Sequence, residues 1–307
     1  MKLAVPDKIS PSYFVAEAAI ELGFFKAEGL DVSLELVYPV DKAYAALRDG
    51  AIDFVGGAAH AVPSAFPGFR GAKLIAAQAQ GMYWFLVMRA DLGAKRGDLD
   101  IVRGRTIGAA PWVNMGLRGL LLAAGIDPER DHVAIAPVPG VLDTVPNFGV
   151  MAARAMQAGK LDGFWANGMG AEVAVRGGFG TVVADVRRGD GPKACFNYTA
   201  PAIATTDALI ARSPDTVAAA VRAIVKTQAA LQADVTRAGE VGGKLFPPQE
   251  AGLIVDLIRR DLPFYDATLS RDFIAGMTAF ARSQGVLDGE IAYENVVATQ
   301  FAPLWKS

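Results

Sequence analysis

Two stretches of this chain follow the same pattern, and this duplication limits what it can fold into. In residues 47–57 and 156–168, a helix-like segment ends at a glycine, an aspartate follows, and a short apolar run leads into small residues. Ligands bind in open α/β sheets at the carboxyl ends of strands. We therefore expect two similar lobes that face each other across a cleft. We predict that Asp53 and Asp162 fix turns by binding nearby backbone, rather than forming a catalytic pair.

Length and composition are typical of a two-domain globular protein. The chain has 307 residues, of which 52% are hydrophobic and 20% charged, with a formal net charge of −2. A basic run is absent, so we expect no nucleic-acid partner. No apolar stretch reaches the roughly 20 residues that a membrane span needs. The single cysteine, Cys195, excludes an intramolecular disulfide, and we expect a buried, inert thiol.

The first residues lead directly into a strand-like segment, Leu3-Ala4-Val5, with no visible export signal. We therefore expect a cytoplasmic protein, or a periplasmic or lipid-anchored one if an upstream signal has been removed.

The order of predicted elements favours the α/β class. Residues 3–55 read as βαβαβ, residues 106–183 alternate strands and helices again, and residues 213–305 are helical. Ser10 and Pro11 predict the start of the first helix. We predict a discontinuous first lobe, residues 1–88 plus 199–307, and a second lobe, residues 89–198. Two strands, near residues 85–90 and 195–203, would cross between them.

Motifs for nucleotide or metal chemistry are missing. The chain has no P-loop and no Gly-x-Ser-x-Gly turn. His60 and His132 lack cysteine or carboxylate neighbours at metal-ligand spacing, and we expect His132 to lie on the surface. We predict no cofactor and no bound metal. An enzyme that uses His60 as acid or base remains an alternative.

Turns at the predicted strand ends and helix starts are rich in aromatic and small residues. Tryptophan suits flat organic ligands, and asparagine can donate or accept hydrogen bonds without charge. The helix start beside Trp112 offers free N–H groups that suit a carboxylate or sulfonate. Trp84 could instead belong to the core, and His60 could cap a helix. The candidate ligand-binding residues are Ser12, Tyr13, Gly57, Ala58, His60, Gln80, Tyr83, Trp84, Trp112, Asn114, Trp165, Asn167, Asn197 and Tyr198.

Residues 19–32, with Gly23-Phe24-Phe25 and Glu28-Gly29-Leu30, resemble the opening of substrate-binding proteins of the nitrate, sulfonate, taurine and thiamine-pyrimidine transporter family. Residues 47–57, 95–108 and 159–162 are similar to the same family. The resemblance implies a type II periplasmic-binding-protein fold, with two α/β lobes joined by a two-stranded hinge. It also implies that a monomer binds a small organic ligand and docks on the membrane permease of an ABC transporter. The ligand would be an aromatic carboxylate, an organosulfonate or a pyrimidine-like heterocycle, and the candidate residues match the family's binding positions.

The same fold also carries enzymes, which leaves a second reading open. Pyrimidine synthases that resemble this family have a cysteine-rich iron-binding motif, which a chain with only Cys195 cannot supply. Desulfinases of this fold have a nucleophilic cysteine early in the chain, where Ser10 and Ser12 stand here. We therefore predict a binding protein rather than an enzyme, with a synthase-like or desulfinase-like enzyme as the alternative.

Overall fold

Two five-stranded sheets organise the computed structural model, which describes residues 1–141 and 147–306. The strands are β1 (Lys2–Val5), β2 (Ser33–Leu36), β3 (Phe54–Ala58), β4 (Ala72–Ala77), β5 (Phe85–Arg89), β6 (Thr106–Ala109), β7 (Ala134–Ala136), β8 (Gly163–Ala166), β9 (Gly180–Asp185) and β10 (Pro201–Thr206). The helices are α1 (Phe14–Glu21), α2 (Phe24–Ala27), α3 (Val40–Arg48), α4 (Val113–Ala123), α5 (Phe148–Gln157), α6 (Gly168–Arg176), α7 (Asp207–Arg212), α8 (Pro214–Ala233), α9 (Arg237–Leu245), α10 (Pro248–Asp261), α11 (Arg271–Ser283) and α12 (Tyr293–Val296).

The two sheets have the same internal order. The first runs β2-β1-β3-β10-β4, and the second runs β7-β6-β8-β5-β9. In the first, β1 pairs in parallel with β2 and β3, while β10 is antiparallel to β3 and β4. In the second, β6 pairs in parallel with β7 and β8, while β5 is antiparallel to β8 and β9. The predicted α/β fold with two similar lobes is confirmed.

The repeated aspartates perform the same task in both sheets. Asp53 precedes β3, and its Oδ2 accepts a hydrogen bond from Lys2 N at the start of β1, at 2.8 Å. Asp162 precedes β8, and its Oδ2 accepts from Thr106 N at the start of β6, at 2.9 Å. These carboxylates join neighbouring parallel strands across long sequence separations. The expectation that they fix local turns was wrong, because their partners are not in the adjacent backbone.

The strand pairing moves the predicted crossing points. All of β5 pairs within the second sheet, so a lobe boundary at residue 88 would cut through a strand. Residues 78–84 therefore make the first crossing. Residues 193–198 form a 3₁₀ helix instead of the predicted strand, and β10 begins only at Pro201. An apolar segment predicts a strand but not the sheet to which it belongs, so the sequence could not assign β5 to one of the two sheets. We propose a division with β1–β4 and β10 in one lobe and β5–β9 in the other.

The first helix starts later than predicted. Ser10 Oγ accepts from Ser12 N at 3.1 Å, which closes a local turn. Helix α1 then begins at Phe14, and no side chain caps its N-terminus. Serine bonded to nearby backbone competes with helix formation in this way.

The C-terminal helices contact both lobes. Helix α8 packs on α1, α2 and β4, and Gln228 Nε2 donates to the carbonyl oxygens of Ala77 and Gln78 at 3.1 and 2.9 Å. Helix α10 packs on α9 and α6, where Arg176 pairs with Asp256 at 3.0 Å. The C-terminal segment thus holds the first lobe against the second. Within the described residues, no helix is both long and apolar enough to span a bilayer.

Candidate functional site

A narrow cleft with about 40 Å³ of free volume lies between the two lobes, where strand ends and helix N-termini from both of them meet. Its first wall comes from segments that follow β1, β2 and β3, and its second from segments that follow β6 and β8 and begin α5. Trp84, in the first crossing, lies between them. The lining residues are Pro6, Asp7, Ser12, Tyr13, Tyr38, Val40, Ala58, Trp84, Ala110, Pro111, Val113, Phe148, Ala166 and Asn167.

Aromatic rings form much of the cleft surface. Tyr38 stacks on Phe148 from the other sheet, with ring centroids 6.3 Å apart and planes 20° from parallel. Trp84 packs edge to face with Trp165, with ring centroids 6.2 Å apart. Trp165 is fully buried behind it. Flat apolar faces on both walls are suited to a ring-containing organic ligand.

Asp7 connects the two walls through its carboxylate. Its Oδ1 accepts from Phe148 N at 3.3 Å, and its Oδ2 accepts from Asn167 Nδ2 at 2.5 Å. The residue is 8% exposed. Burial raises the pKa of this carboxyl well above its usual value, although the two hydrogen bonds oppose that shift. Sequence reasoning missed Asp7; its position directly after the predicted first strand was the available signal.

Asn167 holds the partner amide in one orientation. Its Oδ1 accepts from Met169 N at 2.9 Å and from Gly170 N at 3.3 Å, which caps α6. Because the oxygen is used at the helix end, Nδ2 points to Asp7 and donates. Asn167 is thus both a helix cap and one half of a contact between the walls.

Some of the candidate residues lie in this cleft, as the strand-end pattern predicts. They are Ser12, Tyr13, Ala58, Trp84 and Asn167. The Ser12 hydroxyl is buried and has no hydrogen-bond partner among the described residues. The Tyr13 hydroxyl bonds the Tyr83 hydroxyl at 2.9 Å, so Tyr83 supports Tyr13 from behind. Ligand contact by these residues stays a prediction.

His60 lies beneath the cleft rather than in its lining. It is fully buried; Nδ1 lies 3.0 Å from Thr199 Oγ1, and Nε2 lies 3.1 Å from the carbonyl oxygen of Trp112. A carbonyl can only accept, so Nε2 donates and Nδ1 accepts from the threonine hydroxyl. Burial lowers the pKa of His60 to about 4, although the bond to Trp112 opposes this. His60 is therefore a neutral connector between the lobes, not the cap of a helix.

Trp112, Trp165 and Gly57 also fall outside the cleft lining. Trp112 precedes α4 with φ of 68°, a left-handed conformation, and its neighbours Pro111 and Val113 line the cleft instead. Trp165 Nε1 donates to Val113 O at 3.1 Å. A Cβ at Gly57 would lie 2.9 Å from Tyr44 Oη, so this glycine faces α3.

Other candidates have structural contacts at the crossings. Gln80 Nε2 donates to the carbonyl oxygens of Asp266 and Thr268, at 2.7 and 2.9 Å. Tyr198 stacks on Phe280, with centroids 4.4 Å apart. These residues fix the crossing segments against the C-terminal helices.

Two asparagines lie away from the cleft as well. A Cβ at Gly276 of α11 would meet Asn197 Cβ at 2.6 Å, so Asn197 packs closely on that helix. Asn114 faces a separate surface depression beside Arg118 and Pro128. The sequence placed both near strand or helix ends but could not show which side each faces.

The remaining chemistry-bearing side chains are not arranged as reactive groups. Cys195 is buried, as predicted, and burial raises the pKa of its thiol. His132 is exposed, also as predicted. In the part of the chain that the structure describes, no three His, Cys, Asp or Glu side chains converge as metal ligands.

Two α/β lobes of one strand order, crossed twice by the chain and facing a shared cleft, define the type II periplasmic-binding-protein class. The family model described as NMT1/THI5 like matches residues 11–238. The chain belongs to this family.

Individual relatives agree with that class. The riboflavin-binding protein RibY of Chloroflexus aurantiacus is 25% identical over 97% of this chain and 84% of its own length. The periplasmic sulfonate-binding protein SsuA of Methylobacillus flagellatus KT, a putative sulfonate ABC transporter component, superposes with a TM-score of 0.68 at 15% identity, covering 100% of this chain and 93% of that one. The desulfurization enzyme DSZB has a TM-score of 0.65 at 16% identity over 98% of this chain and 97% of its own.

Proposed function

We propose that this protein captures a small organic ligand in the interlobe cleft and delivers it to an ABC importer. The observation that carries the proposal is the cleft itself, in which Asp7 and Tyr38 of one lobe reach Phe148 and Asn167 of the other. A ligand that fills this space contacts both lobes, and it therefore favours the closed arrangement over the open one. Family membership and the riboflavin-binding relative support a binding role.

The ligand that fits this lining is a flat organic molecule of modest size. The free volume of the cleft in this structure is about 40 Å³, below the roughly 300–1,000 Å³ usual for small-molecule sites, so a ligand of this kind requires the lobes to separate before it enters. Aromatic carboxylates, organosulfonates and pyrimidine-like heterocycles are the three classes to test. Ring stacking would supply affinity, while Asn167 and Ser12 would orient polar groups.

The partner and location follow from the same proposal. The protein would act as a monomer outside the cytoplasmic membrane, periplasmic or lipid-anchored, and dock on a permease. The sulfonate-binding structural relative, described as periplasmic, supports this placement.

Catalysis on this scaffold is the second candidate, because DSZB shares the fold. His60 is buried and uses both ring nitrogens, and Cys195 is buried with a raised thiol pKa. Neither side chain lines the cleft. We therefore propose a binding protein without a catalytic residue. Mass analysis of ligand recovered after incubation tests this, since a binding protein returns the compound unchanged and an enzyme returns product.

Thermal unfolding against the three ligand classes tests the proposed function. A ligand at about 100 times its dissociation constant should stabilise the protein by roughly 2.7 kcal/mol. Tyr38→Ala removes a cleft wall and should weaken binding at least about tenfold, which is ~1.4 kcal/mol. Tyr293→Ala, a half-buried tyrosine whose hydroxyl bonds Leu269 O away from the cleft, is the matched control. If neither these classes nor an aromatic amine or amidine raises the unfolding midpoint, the proposal is contradicted.

A further inference from the structure

The described lining of the cleft contains an acidic side chain but no basic one. Among the described residues that line it, Asp7 carries the only carboxylate, and none is Lys or Arg. Lys8 follows Asp7 in the chain but is not part of the lining. Burial raises the pKa of Glu17 on α1; nearby Asp7 adds to that shift and Lys8 opposes it. An anionic ligand would therefore find no basic side chain in the described lining, whereas a cationic ligand would stabilise the ionised form of Asp7, which burial disfavours.

The protein's own side chains already use two helix ends that could hold an anion. Helix N-termini bind anions through free N–H groups. At α5, Phe148 N donates to Asp7, and at α6 the N–H groups of Met169 and Gly170 donate to Asn167. Helix α4 has no side-chain cap, and its N-terminus offers an anion only a partial positive charge of about half a unit.

Aromatic faces surround this carboxylate. Tyr13, Tyr38, Trp84 and Phe148 line the same cleft as Asp7. The face of an aromatic ring attracts a cation within about 6 Å of its centroid, and the attraction grows when water is excluded. Such rings, in a lining whose described residues include a carboxylate and no Lys or Arg, are suited to bind positive charge.

Asp7 also retains the capacity to accept hydrogen bonds from a ligand. Each of its carboxylate oxygens accepts one bond from the protein, which leaves a lone pair on each. The unpartnered Ser12 hydroxyl, on a residue 7% exposed, lies in the same lining. A ligand with two N–H groups directed at Asp7 would satisfy both oxygens.

We propose that Asp7 determines the charge of the ligand, so that the cleft selects an aromatic organic cation of the amine or amidinium type and rejects carboxylates and sulfonates. This inference rests on the proposed function and changes its ligand list. Asp7 both binds the cation and joins the walls that enclose it.

Three probes of nearly equal shape test the inference: benzamidine (cationic near neutral pH), benzamide (neutral) and benzoate (anionic). Isothermal titration should show benzamidine binding at least about tenfold more tightly than benzamide, with benzoate weakest. In Asp7→Asn the spread among the three should shrink to less than about threefold. Asp53→Asn makes the same change at a carboxylate that accepts from Lys2 N outside the cleft, and should keep the original order.

Several outcomes overturn the inference. They are a preference for benzoate in the unchanged chain, an Asp7→Asn variant that keeps the full preference for benzamidine, and absence of binding by all three probes. If the probes fail while another ligand of the thermal panel binds, charge selection is wrong and the proposed function stands. Asp7→Ser, smaller and also neutral, replaces Asp7→Asn should that variant not fold, and the probe order in the unchanged chain is measured regardless.

Discussion

Glu17 on α1 occupies an environment that opposes its charge. It is fully buried, and neither carboxyl oxygen has a hydrogen-bond partner among the described residues. Burial, reinforced by Asp7, raises its pKa well above the usual value. The folded protein therefore holds this proton over a pH range in which the unfolded chain has lost it. It follows that this residue makes the free energy of unfolding fall as pH rises through that range.

Glu17→Gln should remove this dependence, because the amide is neutral at every pH. We expect the variant to be more stable than the unchanged chain by about 1–3 kcal/mol near pH 8. The gain should disappear near pH 4, where the carboxyl is protonated in both states. Urea unfolding at the two pH values measures it. Glu21→Gln, on the same helix but half-exposed and 3.7 Å from Lys244, is the control, with a change below about 1 kcal/mol. An equal effect of Glu17→Gln at both pH values would show that its charge is not the cause.

At the scale of single residues, the sequence identified the right kinds of turn but not the facing of each side chain. Ser12, Trp84 and Asn167 line the cleft, whereas His60 and Trp165 lie behind it. A strand-end aromatic residue reads the same whether it faces the ligand or the core. Asp7 was missed because the search of the sequence favoured aromatic and small residues. The hydrogen bond that shows its importance joins it to Asn167, 160 residues away.

Helices α5 and α6 cross at unusually close range, and the contact depends on glycine. A Cβ at Gly170 would lie 2.2 Å from the Gly149 carbonyl oxygen, and one at Gly149 would lie 2.6 Å from Asn167 Oδ1. This packing brings the two helix N-termini beside Asp7. The geometry of the second cleft wall therefore depends on these glycines.

Gly170→Ala should destabilise the protein by more than about 2 kcal/mol, because backbone rather than a flexible side chain must move. Gly243→Ala on α9 is the matched control. A Cβ there meets nothing within 4 Å, and we expect a gain of about 0.5–1 kcal/mol from the better helix former. Urea unfolding gives both values, and ligand affinity should fall only in Gly170→Ala. A Gly170→Ala variant as stable as the control would contradict the close crossing.

At the scale of elements, most predicted helices and strands are present, because their glycine ends and apolar runs are local signals. The exceptions occur where another interaction competes with the predicted helix or strand. Ser10 closes a turn instead of beginning α1. Residues 193–198 turn into a 3₁₀ helix after Pro192, and the Phe196 carbonyl accepts from Met82 N in the other crossing. That tertiary contact cannot be read from the segment itself.

Across the whole molecule, a buried ion pair ties the second lobe to the C-terminal helices. Arg187, after β9, lies 3.5 Å from Asp261 at the end of α10, and both side chains are at most 5% exposed. The guanidinium also lies over the rings of Tyr83 and Phe264, at 5.6 and 5.1 Å. Its charge is therefore compensated mainly by Asp261, with Asp185 as a second nearby carboxylate.

Asp261→Asn should cost about 3–5 kcal/mol, because it removes the carboxylate that pairs with the buried Arg187. Combining it with Arg187→Met should recover part of that loss. Asp256→Asn is the control, since its pair with Arg176 is half-exposed and worth less than about 1 kcal/mol. Chemical denaturation of the single and double variants measures the coupling, and strictly additive losses would argue against it.

The two-lobed organisation was readable from the repeated pattern, whereas the lobe boundary was not. Pairing partners decide whether β5 belongs to the first or the second sheet, and they lie about 80–100 residues further along the chain. Only the three-dimensional arrangement shows that the first sheet receives its antiparallel strand β10 from beyond the second crossing, whereas the second sheet consists of consecutive strands.

The return of the chain to the first sheet sets an order during synthesis, which proceeds from the N-terminus. The second sheet has all its strands once Asp185 has been made. The first sheet, although its other strands are made earlier, waits for β10, and until then β4 has no neighbour in its sheet. The lobe that begins first is thus completed last. During synthesis, the first sheet is still incomplete when all strands of the second sheet are available.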